Sequence, residues 1–202
     1  MSNGQKNVPT RLTTGKARLS YAFIWEPRED DSNGGGDDKK KKYSTCVLIP
    51  KSDTNTLNAL NVAMQHAFID GQNRGFWGAN APTNFKMPVR DGDTESAEKG
   101  EAYMGHWFLN ASSVKPPRIV DINRQDILEE SSVYSGCYAR VVIRLFPFSN
   151  SGDRGIGWGL EVIRRLGDGE PLGAAPVNLE AALGNWDDDS GDLPCPGEPG
   201  YD

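Results

Sequence analysis

Downstream of Arg165 the sequence contains no lysine or arginine, although nine carboxylates follow: Asp168, Glu170, Glu180, Asp187, Asp188, Asp189, Asp192, Glu198 and Asp202. Removing these nine from the 28 acids leaves 19 against 22 bases, so residues 1–165 carry about +3 while the whole chain carries −6. A Pro/Gly-broken acidic terminus buries too little apolar surface to fold alone and reads as a disordered interaction tail. A basic body tethered to such a tail points to a polyanionic ligand for the body, with the tail as competitor or as recruiter of a basic partner.

Other residue types are scarce. Three cysteines are present. Cys46 and Cys137 fall in apolar, strand-like runs and Cys195 stands alone in the tail, so neither a CxxC pair nor an even disulfide framework exists. Only two histidines, His66 and His106, occur, and neither has a partner at metal-binding spacing. No Ser/His/Asp or Cys/His arrangement frames a nucleophile. No stretch approaches the roughly 20 apolar residues of a membrane span, and the N-terminal MSNGQKNVPTRLTTG lacks an apolar h-region, so a cytosolic protein is expected. No cofactor or metal site is expected. Asp91-Gly92-Asp93 with Glu95 is a carboxylate cluster of the wrong spacing for an EF-hand, and reads as a turn. It leaves a metal-dependent nuclease using the Asp91/Asp93 region as one alternative, with a non-enzymatic interaction protein whose tail is the active part as the other. Arg154-Gly155-Ile156-Gly157-Trp158-Gly159 lacks the P-loop pattern and leads into a strand.

Glycine and proline together number 36 of 202 residues, 23 and 13, which favours a turn-rich β fold. Gly15 to Pro27 alternates, with Ala17, Leu19, Tyr21, Phe23 and Trp25 on one face and Lys16, Arg18 and Ser20 on the other. A low-complexity loop containing a triple glycine and Lys39 to Lys42 follows, and KYSTCVLIP resumes as a second strand. N-cap candidates Ser52 to Thr56 precede Leu57, Leu60, Met64, Ala67 and Phe68 at helical spacing, with Gly71 as the stop. Residues 72–101 read as a long irregular excursion. Ala102 to Asn110, Arg118 to Asp121, Val133 to Phe148 and Gly157 to Leu166 supply the remaining strands, for about six strands and one amphipathic helix.

The run VYSGCYARVVIRLFPF splits by parity. Cys137, Ala139, Val141, Ile143 and Leu145 form an apolar row for the core. Tyr134, Gly136, Tyr138, Arg140, Val142, Arg144, Phe146 and Phe148 form the other row. Rings interleaved with guanidinium groups suit a single-stranded nucleic acid, because bases stack on rings while cations follow phosphates. The competing reading is a second layer covering the rings, with the arginines ion-paired. The site residues proposed are Lys16, Arg18, Arg140, Arg144, Arg164 and Arg165 for phosphates, and Tyr134, Tyr138, Phe146 and Phe148 for stacking. Trp25, Trp107 and Trp158 are either core or platform.

The succession GKARLSYAFIWEP, KYSTCVLIPKSDT, PVRDGD, PPRIVD, VYSGCYARVVIRLFPF and GLEVIRRLGDGEPLG resembles a family of bacteriophage single-stranded DNA-binding proteins. The resemblance runs from about residue 11 to 175. It implies an OB-type β-barrel over residues 1–175 and an acidic interaction tail over 176–202. It further implies non-sequence-specific binding in phage DNA replication or recombination, no catalysis, and action in the cytoplasm of the infected bacterial host. The tail, with Asp187, Asp188, Asp189, Asp192, Glu198, Tyr201 and Asp202, is expected to contact replication or recombination proteins. One departure stands out: the helix follows two visible strands, whereas the common OB layout has it after three.

Overall fold

A computed structural model describes residues 10–29, 41–80, 85, 86, 88–150 and 153–173, which belong to one compact unit ending near Leu172. The tail from residue 174 onward, including Cys195, Trp186 and every proposed partner-binding carboxylate, lies outside the described residues, as do Lys39 and Lys40.

Among the described residues, nine strands and two α-helices follow in the order β1 (Arg11–Thr13), β2 (Ala17–Glu29), β3 (Lys41–Pro50), α1 (Thr54–Asn73), β4 (Phe85–Lys86), β5 (Arg90–Asp91), α2 (Gly92–Lys99), β6 (His106–Ser113), β7 (Arg118–Val120), β8 (Tyr138–Asn150) and β9 (Asp153–Gly167). Five of the strands close a ring, β2-β3-β6-β9-β8, because β8 pairs with both β9 and β2. Only the β6–β9 seam in that ring is parallel. This is the mainly β, OB-type arrangement that the sequence implied. Strands β1 and β7 extend the sheet beyond β8 and β9.

The ring is filled by the apolar parity rows. Cys137, Ala139, Val141, Ile143 and Leu145 are all buried, joined by Ile156, Trp158, Leu160 and Ile163 of β9. Helix α1 inserts Leu60, Ala63 and Ala67 into the same core. Asp53 caps it, accepting from Thr56 N at 3.1 Å, and the Thr56 hydroxyl accepts from Gly15 N at 2.8 Å, tying the β1–β2 turn to the helix start. In the ring this helix lies between the second and third strands, so the departure from the common layout is an elaborated topology.

Three expectations need correction. The sequence predicted one helix, but α2 is a second, inside the segment read as irregular. Its Asp91 is the N-cap, accepting from Asp93 N at 2.9 Å, and it has no apolar face to create a 3.6-residue period. Gly71 does not itself stop α1: it is buried within the last turn, two residues before the end at Asn73, where an added Cβ would strike the Trp77 ring, and the chain leaves through Gly75 at φ 73°. The alternation of β2 reverses at Tyr21, because the register passes from Ser20↔Cys46 to Phe23↔Ser44 with one extra residue on β2. Tyr21 takes φ 46° at this bulge and is exposed, and Ile24 becomes the buried residue.

Candidate nucleic-acid interface

The reversal at Tyr21 builds a groove. On the outer face of β2, β3 and β6 lies a concavity of about 860 Å³ whose lining includes Tyr21, Phe23, Tyr103 and Phe108 with Arg28, Lys42, Arg90 and Lys99. The Tyr21 and Phe23 rings lie 6.5 Å apart, and the Arg28 guanidinium sits 4.2 Å over Phe23. Arg90 sits 4.5 Å over Phe108 and ion-pairs with Glu95 at 3.2 Å, so it is fixed by both contacts. Tyr103 and Phe108 are buried and meet edge to face at 5.1 Å, forming the floor. Burial pushes the Cys46 thiol beneath them up to about 11, which keeps it protonated and inert.

None of the site residues proposed from the sequence lines this groove. The bulge hid Tyr21 and Phe23 among core positions, and Arg90 and Lys99 flank a helix that carries no periodic signal. The cations of the 72–101 excursion were the available clue.

The predicted site residues separate into three groups. Arg140, Arg144, Phe146 and Phe148 do share the outer face of β8, and Arg164 joins them from β9. Arg140 and Arg144 are exposed and have no ion-pair partner among the described residues. Phe146 lies over Gly157, where an added Cβ would come within 2.7 Å of its Cζ. Gly155, Gly157 and Gly159 face Phe148, Phe146 and Arg144 across the β8–β9 hairpin, leaving this face uncovered, so the glycine-rich run serves a surface.

A second group holds the end of the domain. Arg18 donates from Nε to the Gly136 carbonyl at 3.1 Å and from its terminal nitrogen to Glu170 O. Arg165 donates to Ser132 O at 2.7 Å and to Asp168 Oδ1 at 2.6 Å. The Tyr134 hydroxyl lies 2.9 Å from Gly169 O and 3.1 Å from Asp168 Oδ1. Arg165 foremost, then Tyr134, holds the Asp168 carboxyl below its usual range. These side chains strap residues 168–170 to β2 and to the segment ahead of β8, with their polar groups already engaged. The third group is a stack: the Lys16 ammonium sits 4.0 Å over the Tyr138 ring. Of the tryptophans, Trp158 is core and donates to Pro88 O at 2.6 Å, Trp25 donates to Val133 O at 3.0 Å, and Trp107 lies under Lys51 at 5.0 Å.

The Asp91/Asp93 pair is engaged as well. Lys51 Nζ lies 2.6 Å from a carboxylate oxygen of each, and Asp93 also accepts from Gly105 N at 2.6 Å. Among the described residues no group of three His, Cys, Asp or Glu side chains is placed to hold a metal ion, and no helix is long and apolar enough to cross a membrane.

A closed five-stranded ring with a helix packed into its core belongs to the OB-type class of folds, and here it carries an aromatic, cationic groove on one outer face. The family model described as Enterobacter phage Enc34, ssDNA-binding protein matches residues 10–193, and the chain belongs to that family. Among solved structures, it is similar to the single-stranded DNA-binding protein from bacteriophage Enc34 in complex with ssDNA, with a TM-score of 0.66 and 23% identity over 81% of this chain and 90% of that one. The single-stranded DNA-binding protein gp2.5 of bacteriophage T7 shares the fold at a TM-score of 0.55 and 15% identity, covering 82% and 96% of the two chains. A curated relative, "Putative protein p50" of Acyrthosiphon pisum secondary endosymbiont phage 1, is 25% identical over 190 residues, or 88% of this chain and 93% of that protein.

Proposed function

We propose that this protein coats single-stranded DNA without reading its sequence, acting in phage DNA replication or recombination inside the infected bacterial cell. The observation that carries the reading is the groove on β2, β3 and β6: rings for stacking interleaved with cations for phosphates, on the face where OB-type domains bind oligonucleotides. Membership of the Enc34 family supports it, as does the likeness to a fold solved with ssDNA bound. Tyr21 and Phe23 stack bases. Arg28, Arg90 and Lys99 attract the backbone.

The protein works as a binder without catalysis. The nuclease alternative asks Asp91 and Asp93 to hold a cation, and both carboxylates are already bridged by the one Lys51 ammonium while Asp91 caps α2. Residues 1–175 form the binding domain. Residues 176–202 act as a hook for replication or recombination proteins, using Asp187, Asp188, Asp189, Asp192, Glu198, Tyr201 and Asp202.

Anisotropy titration of fluorescent oligo(dT) with the full chain tests this. Binding should fall when Phe23→Ala and Arg28→Ala are introduced, and Arg28→Ala should lower the slope of log K against log salt by about 0.7. Absence of binding by the unaltered chain at low salt, or magnesium-dependent cleavage of the oligonucleotide, would reject the reading.

A further inference from the structure

Across the ring from the groove, β1, β8, β9 and β7 lie side by side and present a second basic surface. Its centre is a concavity of about 300 Å³ with a floor of Val120, Val142 and Val162 and a rim of Arg118, Arg124, Arg140 and Arg164. Four guanidinium groups thus surround one depression. Only Arg118 is neutralised, by Asp126 at 2.6 Å. Arg164 donates to Ile122 O, but its Nε is buried without a hydrogen-bond partner, the one such side-chain nitrogen or oxygen among the described residues. A buried donor without a partner costs stability, and Arg164 carries that cost in the wall of a basic depression.

The loop beside the depression is built to place a charge. Asp121 accepts from Asn123 N and Gln125 N, both at 2.8 Å, and this turn holds Arg124 at φ 66°, a conformation unfavourable for a side-chain-bearing residue. Along β8, Arg144 follows Arg140 by four residues, a separation of about 13 Å on the same face. Phe146 comes next, 43% exposed over Gly157. Guanidinium groups spaced along a strand and ending in an uncovered ring fit a sugar-phosphate backbone with its bases.

We propose that this face is a second binding site for single-stranded nucleic acid, held chiefly through phosphates by Arg124, Arg140, Arg144 and Arg164, so that one protein molecule grips two segments at once. The inference rests on the groove being the first site. The two segments come from separate strands or from distant parts of one strand, and the phosphate chemistry is the same for both.

The experiment uses the full-length chain with two short, non-complementary oligonucleotides carrying a donor and an acceptor dye, and in parallel one long oligo(dT) labelled at both ends. Energy transfer between the short strands marks bridging of separate strands, and transfer within the long strand marks looping; either supports two sites. Arg124→Ala/Arg140→Ala/Arg144→Ala should abolish transfer and weaken the second equivalent by about tenfold or more, lowering its salt slope by about 2, while first-site affinity stays within about twofold. Phe23→Ala/Arg28→Ala should leave the second site measurable. These arginines are removed from exposed positions, and a melting curve verifies the fold. Oligonucleotide binding with a single equivalent and no transfer in either arm overturns the second site while leaving the groove intact. Transfer that survives the triple arginine variant assigns bridging to some other surface and also overturns it. No binding of any oligonucleotide by the unaltered chain is instead a failure of the groove reading.

Discussion

Tyr21 joins a local irregularity to the proposed chemistry. Its left-handed backbone lets an aromatic ring leave the core row and line the groove, at a conformational cost that glycine would not bear. Tyr21→Ala should weaken oligo(dT) binding by about 1–3 kcal/mol through lost stacking. Tyr21→Gly should bind as weakly yet melt above Tyr21→Ala, because glycine relieves about 1 kcal/mol of backbone strain. Equal melting temperatures would mean the bulge is unstrained. Asp168 gives a pH signature. Its carboxyl is held below the ordinary range by Arg165 and then Tyr134, so its contribution to stability is present above the unfolded value near 4 and is lost as pH falls through the lower folded value. Asp168→Asn should therefore lower the melting temperature at pH 7, and the gap from the parent chain should close towards pH 3. A gap independent of pH would assign the strap to the backbone bonds alone. Cys46 and Cys137 provide a third check: burial raises both thiols, Cys46 to about 11, so a Cys195→Ser chain should react with a thiol reagent at pH 8 only as fast as it unfolds.

At the scale of elements, legibility in the sequence followed periodicity. The strand β8 could be read residue by residue because alternate residues from Cys137 to Leu145 form a wholly apolar, buried row. The core helix α1 showed through Leu60 and Ala67, although its true end waited on Trp77, which fills the space that Gly71 leaves open. Helix α2 was not legible: among its eight residues only Gly92 is buried, so capping and position define it, not hydrophobic pattern. Likewise Arg18, Tyr134 and Arg165 read as binding residues because nothing local reveals partners more than thirty residues away. The close approach at Gly92 yields a prediction. An added Cβ would meet the Tyr103 carbonyl, backbone that cannot swing aside. Gly92→Ala should cost about 1–3 kcal/mol of stability by displacing α2, and should weaken oligo(dT) binding because Arg90 and Lys99 flank it. Unchanged binding with lowered stability would separate α2 from the groove.

For the whole molecule, the ring closes late in the chain. β2 joins β8 through Ala17↔Ala139, and Arg18 reaches Gly136 and Glu170, contacts spanning 118 and 152 residues. Contacts of such long sequence separation slow folding, because the loop entropy must be overcome before they form. During synthesis the consequence is one of timing. The β2–β3 hairpin and α1 leave the ribosome with their apolar faces uncovered, and at about 5–20 residues per second they wait several seconds for β8 and β9 to complete the core. The half-made protein is therefore a species with its own hazards, exposed to aggregation and to chaperones, and it acquires a closed core only when the last strand arrives.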